Sequence, residues 1–412
     1  MIQACGQAAR DAAPSLATAT DAAIDGVLTS MAELLRASAG PVLAANSEDV
    51  EAAKAGGMTG ALLDRLLIGE ERLAGMADQL TALASVPFPS TATYVREVEP
   101  GFRLEERRRP VGVIGANYET RPNVTIDVAS QLIKSRNAGV LRTGGAALRS
   151  SIALVDHVVA PALAAHGLDP AAVQLVRTPE REAAYALVRQ PGLIPLVILR
   201  GSGDTTRALS REAAGHGVRT LAHADGGGVM YVDAAADLDK AYQLIRRSLD
   251  RLGVCNRLNL LLLDQRIYDQ QLPVVRDLLG QLGIALSVPP HSHPRGHEWA
   301  LDDANEATVT VDVASSAEDA ARIANQETSG LGACIVTEDA ATAHRFLDAY
   351  QGTGAFWNAT TRLLDGFKLL GVPETGINVD HVPGPRGPVT FRDLCLRQFV
   401  VVPDMSGARS GA

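Results

Sequence analysis

Three observations predict an α/β fold with two parallel sheets. Short apolar segments of strand length alternate with helix-length stretches from residue 111 to about 222, and the same alternation resumes after Gly228. Strands joined by helices pair in parallel through right-handed crossovers. Aromatic residues make up only 4% of a chain that is 46% hydrophobic, so its cores are built of Ala, Val, Leu and Ile, as helices laid on parallel strands require. At 412 residues the chain exceeds one ordinary core, and two domains or more are expected.

The first ninety residues read as helices. Ile24, Leu28, Met31 and Leu35 recur at steps of three and four, giving one apolar stripe that Gly40 would close. A second helix is expected in SEDVEAAKAGG from an N-cap at Ser47, and a third through ALLDRLL to Gly69. From Thr91 to Pro110, alternating segments flank the turn pair Pro100-Gly101, a β-hairpin signal. The hairpin is polar on both faces and is expected to stand off the body and pair with another subunit. VGVIGA (111–116), AGVLRTGG (138–145), AAVQLV (171–176) and LIPLVILRGSG (193–203) are then strands with helices between them. VMYVD, NLLLLD, ATVTVDV and ACIVT repeat the pattern as a second α/β domain. LRQFVVVP (396–403) is a last strand, free to join the hairpin.

Composition excludes several classes. A net charge of −9 leaves no basic surface for a nucleic acid, and Arg107-Arg108-Arg109 reads as the solvated face of a strand. Cys5, Cys255, Cys334 and Cys395 form no CxxC pair, which argues against disulfides and zinc and for a reducing cytoplasm. Cys5 stands near an end expected to be loose. The N-terminus lacks a signal-peptide pattern, and no uninterrupted apolar run reaches the roughly 18 residues of a membrane span. His291, His293 and His297 lie in PPHSHPRGHEW, where no carboxylate or Cys completes a ligand spacing. That segment reads as a Pro-rich surface loop, and no metal is assigned.

Two strand–glycine–helix junctions are candidate cofactor cradles: Arg142-Thr143-Gly144-Gly145 and Gly201-Ser202-Gly203. Small residues let backbone N–H groups approach a pyrophosphate at a helix N-terminus. Neither loop is GxGxxG, and tight turns take glycine for geometry alone. Two such loops in one domain, with Arg142 suited to a ribose 2′-phosphate, favour NADP(H). Cys255 sits where a loop enters a buried strand. A lone Cys is more often a small buried hydrophobe, but a loop offers the exposure a thiolate needs.

Read together, RPVGVIGANYETRPNVTIDVA, LRTGGAA, LVILRGSG, GVCNRLNLLL, FWNATTRLLDGF, ETGIN and GPRGP resemble the γ-glutamyl phosphate reductase family of the aldehyde dehydrogenase superfamily. The resemblance runs nearly end to end. It implies a Rossmann-like cofactor domain (1–90 and 110–222, with part of 375–392), a catalytic domain (223–374) and a small β oligomerisation flap (91–109 and 393–412). It implies Cys255 as nucleophile, Asn123 as oxyanion donor, and Arg121, Asn256 and Arg386 as substrate contacts. Arg142, Thr143, Gly144, Gly145, Gly201 and Ser202 would hold NADP(H). The implied reaction is reduction of an acyl phosphate, a small-molecule substrate, through a thioester, in a homodimer or dimer of dimers.

The sequence departs from the family near the substrate. Asn259 stands where the family has Glu, Gly228-Val229 replaces Cys-His, and GLGAC (330–334) replaces a His-containing segment. A paralogue acting on another acyl phosphate or thioester, with Leu331, Leu369 and Leu370 lining a more apolar pocket, is the alternative enzyme. An inactive scaffold subunit is the alternative of a different class. His223 is a candidate general base.

Overall fold

The computed structural model describes residues 1–88, 92–223, 225–302, 304–380, 384 and 386–404; the remainder of the expected flap, 91 and 405–412, lies outside them. The first sheet has five parallel strands in the order Val173–Leu175, Ala138–Thr143, Val113–Tyr118, Leu196–Arg200 and Arg219–His223. Every residue of 113–118 and 138–143 is buried, because helices cover both faces. The second sheet has six parallel strands, ordered Ala285–Ser287, Thr308–Ala314, Leu258–Asp264, Gly228–Val232, Gly332–Val336 and Gly354–Trp357. Gly376–Asn378 and Gly387–Val389 form a small antiparallel pair beside the first sheet.

The N-terminal region is helical, with different boundaries from those expected. Asp21–Ala37 ends at Ser38, and Gly40 lies inside the next helix, Ala39–Ala55. Pro41 is tolerated there because first-turn N–H groups have no intrahelical acceptor. Ser47 is therefore mid-helix rather than a cap. Cys5 is not at a loose end: it belongs to helix Ile2–Ala17, which buries Ile2, Ala9, Ala12 and Leu16 against the first domain.

One helical segment, Gly145–Ala165, is long and apolar enough by length and composition alone to cross a membrane. Val155, Val158, Val159 and Leu163 instead pack into the first core. Arg149 pairs with Glu48, and Asp156 with Arg177, at its surface. It is a core helix.

Ala92–Glu99 and Phe102–Pro110 form an antiparallel hairpin, and Cys395–Pro403 adds a third strand, from Cys395 opposite Pro110 to Pro403 opposite Phe102. This sheet is not polar throughout. Tyr94, Phe102, Leu396, Phe399 and Val401 are exposed on it.

Candidate active site

In the first sheet the strand order reverses between Val113–Tyr118 and Leu196–Arg200, which opens a crevice beyond their C-terminal ends. The loop after the first of these strands runs from Glu119 to Asn123, ahead of helix Val124–Lys134. Its Thr120 sits at φ 48°, a left-handed conformation that costs a β-branched residue on the order of 1–3 kcal/mol. The loop after the second strand is Gly201-Ser202. Facing both is the N-terminal edge of the second sheet, where a turn ahead of Leu258–Asp264 carries Cys255.

These edges enclose a cavity of about 540 Å³ that Cys255, Asn123 and Arg121 line together. Arg65, Arg72, Arg200, Arg251 and Arg362 also line it, against Glu71, Asp127, Asp365 and Glu374. Several of the arginines are engaged: Arg72 and Arg251 pair with Asp64, Arg362 with Asp250, and Arg65 donates to Gly253 O at 2.7 Å. Arg121 and Arg200 have no hydrogen-bond or ion-pair partner among the described residues. Burial first, then the nearby Arg200 and Arg65, pull the Arg121 pKa down to about 10. Burial, Arg200 and Arg121 likewise hold His223 near 3. Six arginines thus share the cavity with four carboxylates, and Arg200 acts on Asp127 and Glu374 among them.

Burial pushes the Cys255 thiol up, and Arg121 is the main opposing influence, favouring thiolate. Asn123 donates one amide N–H to Asp127 Oδ2 at 3.0 Å, which fixes the amide and leaves its second N–H for the cavity. Burial raises Asp127 to about 7, Arg200 opposing. His223 does not suit the role of base. Its Nδ1 accepts the Ile377 N–H at 3.1 Å, so Nε2 carries the proton of the neutral ring.

Of the two other expected substrate contacts, one is corrected and one borders the cavity. Arg386 lies away from Cys255, in a separate cleft with Arg322 and Gln351, where it donates to the carbonyls of Val379 and Gln351. Asn256 borders the cavity, but its amide donates to Leu364 O at 2.9 Å and its carbonyl accepts from Arg362. It braces the 362–364 segment.

The glycine loops meet through Glu119. A Cβ at Gly201 would lie 3.0 Å from the Glu119 carboxyl carbon, and the Ser202 N–H donates to Glu119 Oε2 at 3.2 Å. The N-terminus of helix Gly203–Gly215 thus already holds an anionic oxygen, the kind of group a cofactor phosphate presents. Gly201, Ser202 and Glu119 share a small cavity with Cys255, and Glu119 also borders a cleft with Arg142, Gly144, Gly145 and Arg181. Thr143 is buried at the end of its strand, with its hydroxyl unpartnered. The groove therefore fits a dinucleotide running from the first loop to Cys255. Arg142 is only 6% exposed, and its guanidinium donates to Asn117 Oδ1, Pro179 O and Glu180 O. It holds the 179–181 turn, and the exposed cation there is Arg181.

Comparison with known proteins decides the family. The aldehyde dehydrogenase family matches residues 1–285. A γ-glutamyl phosphate reductase from Caulobacter sp. (strain K31) is 35% identical, with 97% of each chain covered. The chain belongs to the γ-glutamyl phosphate reductase family of aldehyde dehydrogenases. The crystal structure of γ-glutamyl phosphate reductase from Thermotoga maritima superposes with a TM-score of 0.87 at 26% identity, covering 98% of both chains. An acetylating aldehyde dehydrogenase from Geobacillus thermoglucosidasius shares the fold, with a TM-score of 0.75 at 17% identity and coverage of 97% of this chain and 96% of that one.

Within this reductase family the departures acquire structural reasons. At Gly228 a Cβ would lie 2.8 Å from both Arg257 O and Thr361 Cβ, so the position has no room for a side chain. Leu331 is buried in the second core, and Leu369 and Leu370 are exposed at 45%. None of the three lines the main cavity, and the expectation of an apolar pocket is corrected. Asn259 accepts the Trp299 N–H at 3.1 Å and donates to His297 O, clamping the segment that carries Glu298. The histidine-rich stretch is accordingly not just a surface loop: it delivers Glu298 to the cavity beside Cys255. Arg65, Arg200 and Glu298 were not singled out from the sequence. A strand-terminal Arg200 just before Gly201 was the one signal available.

Proposed function

We propose that the chain reduces an acyl phosphate, L-glutamyl 5-phosphate foremost, to the aldehyde and inorganic phosphate with NADPH, through a thioester on Cys255. Membership of the family makes it an aldehyde dehydrogenase-type oxidoreductase with a nicotinamide cofactor. The finer reading rests on one observation: among the described residues, Arg121 and Arg200 make no hydrogen bond or ion pair in the cavity beside Cys255. A buried guanidinium whose N–H groups reach no acceptor is costly, and a phosphate dianion with an α-carboxylate would offset that cost. Glu374 and Asp365, on the same wall, offer acceptors for an α-ammonium group.

In this reading Cys255 Sγ attacks the acyl carbon while the second Asn123 N–H and the Cys255 backbone N–H hold the oxyanion. The carbon–oxygen bond to phosphorus breaks, and phosphate leaves with the electron pair, steered by Arg121 and Arg200. When bound, the nicotinamide supplies a hydride to the thioester carbon. The hemithioacetal oxyanion then re-forms a carbonyl and expels the Cys255 thiolate with the aldehyde. The test is the reverse direction: NADP⁺ reduction with glutamate semialdehyde. Dependence on added phosphate is expected. Cofactor binding without any phosphate-dependent turnover would overturn this substrate and point to another acyl group.

NADP(H) preference is assigned to Arg181, with Arg142 as the strut that positions it. Arg181→Ala is expected to weaken NADP⁺ binding roughly tenfold, by loss of one charged contact, and to leave NAD⁺ unaffected. Equal loss for both nucleotides in a fluorescence titration would remove Arg181 from the 2′-phosphate.

The exposed apolar residues of the three-stranded sheet support a homodimer or dimer of dimers that pairs these sheets. Phe399→Asp combined with Val401→Asp is expected to lower the mass measured by light scattering to that of a smaller species. An unchanged mass would place the interface elsewhere.

A further inference from the structure

We propose that His223 donates its Nε2–H to the phosphate group that departs from the acyl carbon, beside the Arg200 guanidinium, and that strand Gly376–Asn378 aims it there. The inference rests on the acyl-phosphate reading and gives a part in it to a residue otherwise without one. His223 ends strand Arg219–His223, the edge of the first sheet, and its register partner on the neighbouring strand is Arg200. Register partners on adjacent parallel strands send their side chains to one face. Both reach the crevice: with Cys255, Arg65 and Arg121 they border the main cavity and also the small one beside it. Cys255 thus stands where the two cavities meet, and the His223–Arg200 pair stands at the same junction.

Strand Gly376–Asn378 fixes the pair from behind. It runs against the sheet edge, where the Val379 N–H donates to Ala222 O at 3.4 Å. The Ile377 N–H donates to His223 Nδ1 at 3.1 Å. At Gly376 a Cβ would come within 3.3 Å of Arg200 Cγ and 3.4 Å of its Cδ, so a glycine lets the backbone lie along the arginine stem. The Thr375 N–H donates to Val389 O at 2.8 Å, tying the strand to its antiparallel partner. One short segment therefore orients both side chains, and Gly376 and Ile377 are positioning residues. An amide N–H on Nδ1 requires a lone pair there, which leaves the ring's proton on Nε2. That Nε2–H meets no acceptor among the described residues.

Chemistry decides which substrate group takes that hydrogen bond. Burial first, then Arg200, Arg121 and Arg65, keep the ring neutral, so His223 offers one directed N–H and no charge. Beside a guanidinium this completes a two-donor seat for an oxyanion, with charge from the arginine and direction from the imidazole. During attack by Cys255 the nearest anionic group is the phosphate, joined to the acyl carbon through a single oxygen. The α-carboxylate lies at the far end of the carbon chain. As the carbon–oxygen bond breaks, its electron pair stays on the phosphate oxygen, and the Nε2–H bond strengthens with the charge that grows there. His223 keeps its proton throughout; the phosphate takes one from solvent and leaves as hydrogen phosphate. In the reverse direction the same seat holds inorganic phosphate for attack on the thioester.

Two substitutions separate the donor from a mere brace. His223→Asn keeps an amide oxygen for the Ile377 N–H but has no group at the Nε2 position, whereas His223→Gln reaches that position with an N–H. In the reverse assay His223→Asn is expected to raise KM for inorganic phosphate roughly tenfold or more, the scale of one hydrogen bond to a charged group, and KM for the semialdehyde by less than about threefold. His223→Gln is expected to recover most of the loss. A spectroscopic readout needs no turnover. With isotope-labelled histidine in the full chain, the His223 Nε2–H resonance, identified by its absence from His223→Asn, should shift as inorganic phosphate is added. A resonance unmoved by phosphate in large excess overturns the proposal. So do equal losses in the Asn and Gln variants, which would leave the ring a brace, and a rise confined to the semialdehyde KM, which would assign it to the carbon chain. A phosphate-dependent shift in a chain without phosphate-dependent turnover would uphold the seat and sink the substrate reading beneath it.

Discussion

Cys255→Ser is expected to lower phosphate-dependent turnover by roughly 10³-fold or more, the scale seen when a covalent nucleophile is lost. The argument depends on where Cys255 sits. Its turn faces Arg121, which favours a thiolate against the opposing effect of burial. A serine hydroxyl at the same place is far too weakly acidic to gain from that neighbour. The cofactor groove lies mostly along Glu119, Gly201 and Arg142, so nucleotide affinity should stay within about twofold. A serine enzyme with even a tenth of normal turnover would remove the thioester from the mechanism. Single-turnover mixing with a fluorescent nucleotide separates the two quantities.

Asn123→Ala is expected to slow kcat by roughly 10²–10³, equivalent to about 2.7–4 kcal/mol for one oxyanion donor. KM should change little, because the donor's full strength is felt only when negative charge develops on the acyl oxygen. A second effect follows from the contact with Asp127. The Asn123 hydrogen bond lowers the Asp127 pKa, so losing it moves that carboxyl further above 7. A rise in KM with kcat unchanged would make Asn123 a ground-state contact rather than an oxyanion donor.

The α/β class was legible because its signal is local: VGVIGA and NLLLLD can hardly be other than strands buried on both faces. Helix ends were less legible. Gly40 and Ser47 carry the usual stop and cap chemistry, yet Ala39–Ala55 runs through both, because contacts with the helix Leu148–Leu154 stabilise it more than a local cap would. Within the site, Cys255, Asn123 and Arg121 stand in motifs, and the structure brings all three to one cavity. Glu298 reaches it from a segment with no motif and Arg65 from the helix ALLDRLL, which carries no chemical signal of its own, and only the tertiary fold brings them there. Arg142 was read from its glycine loop and Arg386 from the resemblance of GPRGP. Backbone carbonyls, invisible to any residue pattern, turn out to occupy their guanidinium groups.

The three-stranded sheet also constrains how the molecule is made. Arg109 and Gln398, hydrogen-bonded across neighbouring strands, are 289 residues apart in the chain. A ribosome adding about 5–20 residues per second releases the hairpin well before its third strand exists. Through that interval the 102–110 edge is open, with unpaired backbone groups and aromatic side chains nearby, a template for any passing strand. Glu105, Glu106 and the arginines at 103 and 107–109 line that edge with charge. They guard a nascent chain as much as they decorate a finished one. The sheet itself can be completed only after synthesis has passed Pro403, so its closure is timed by translation.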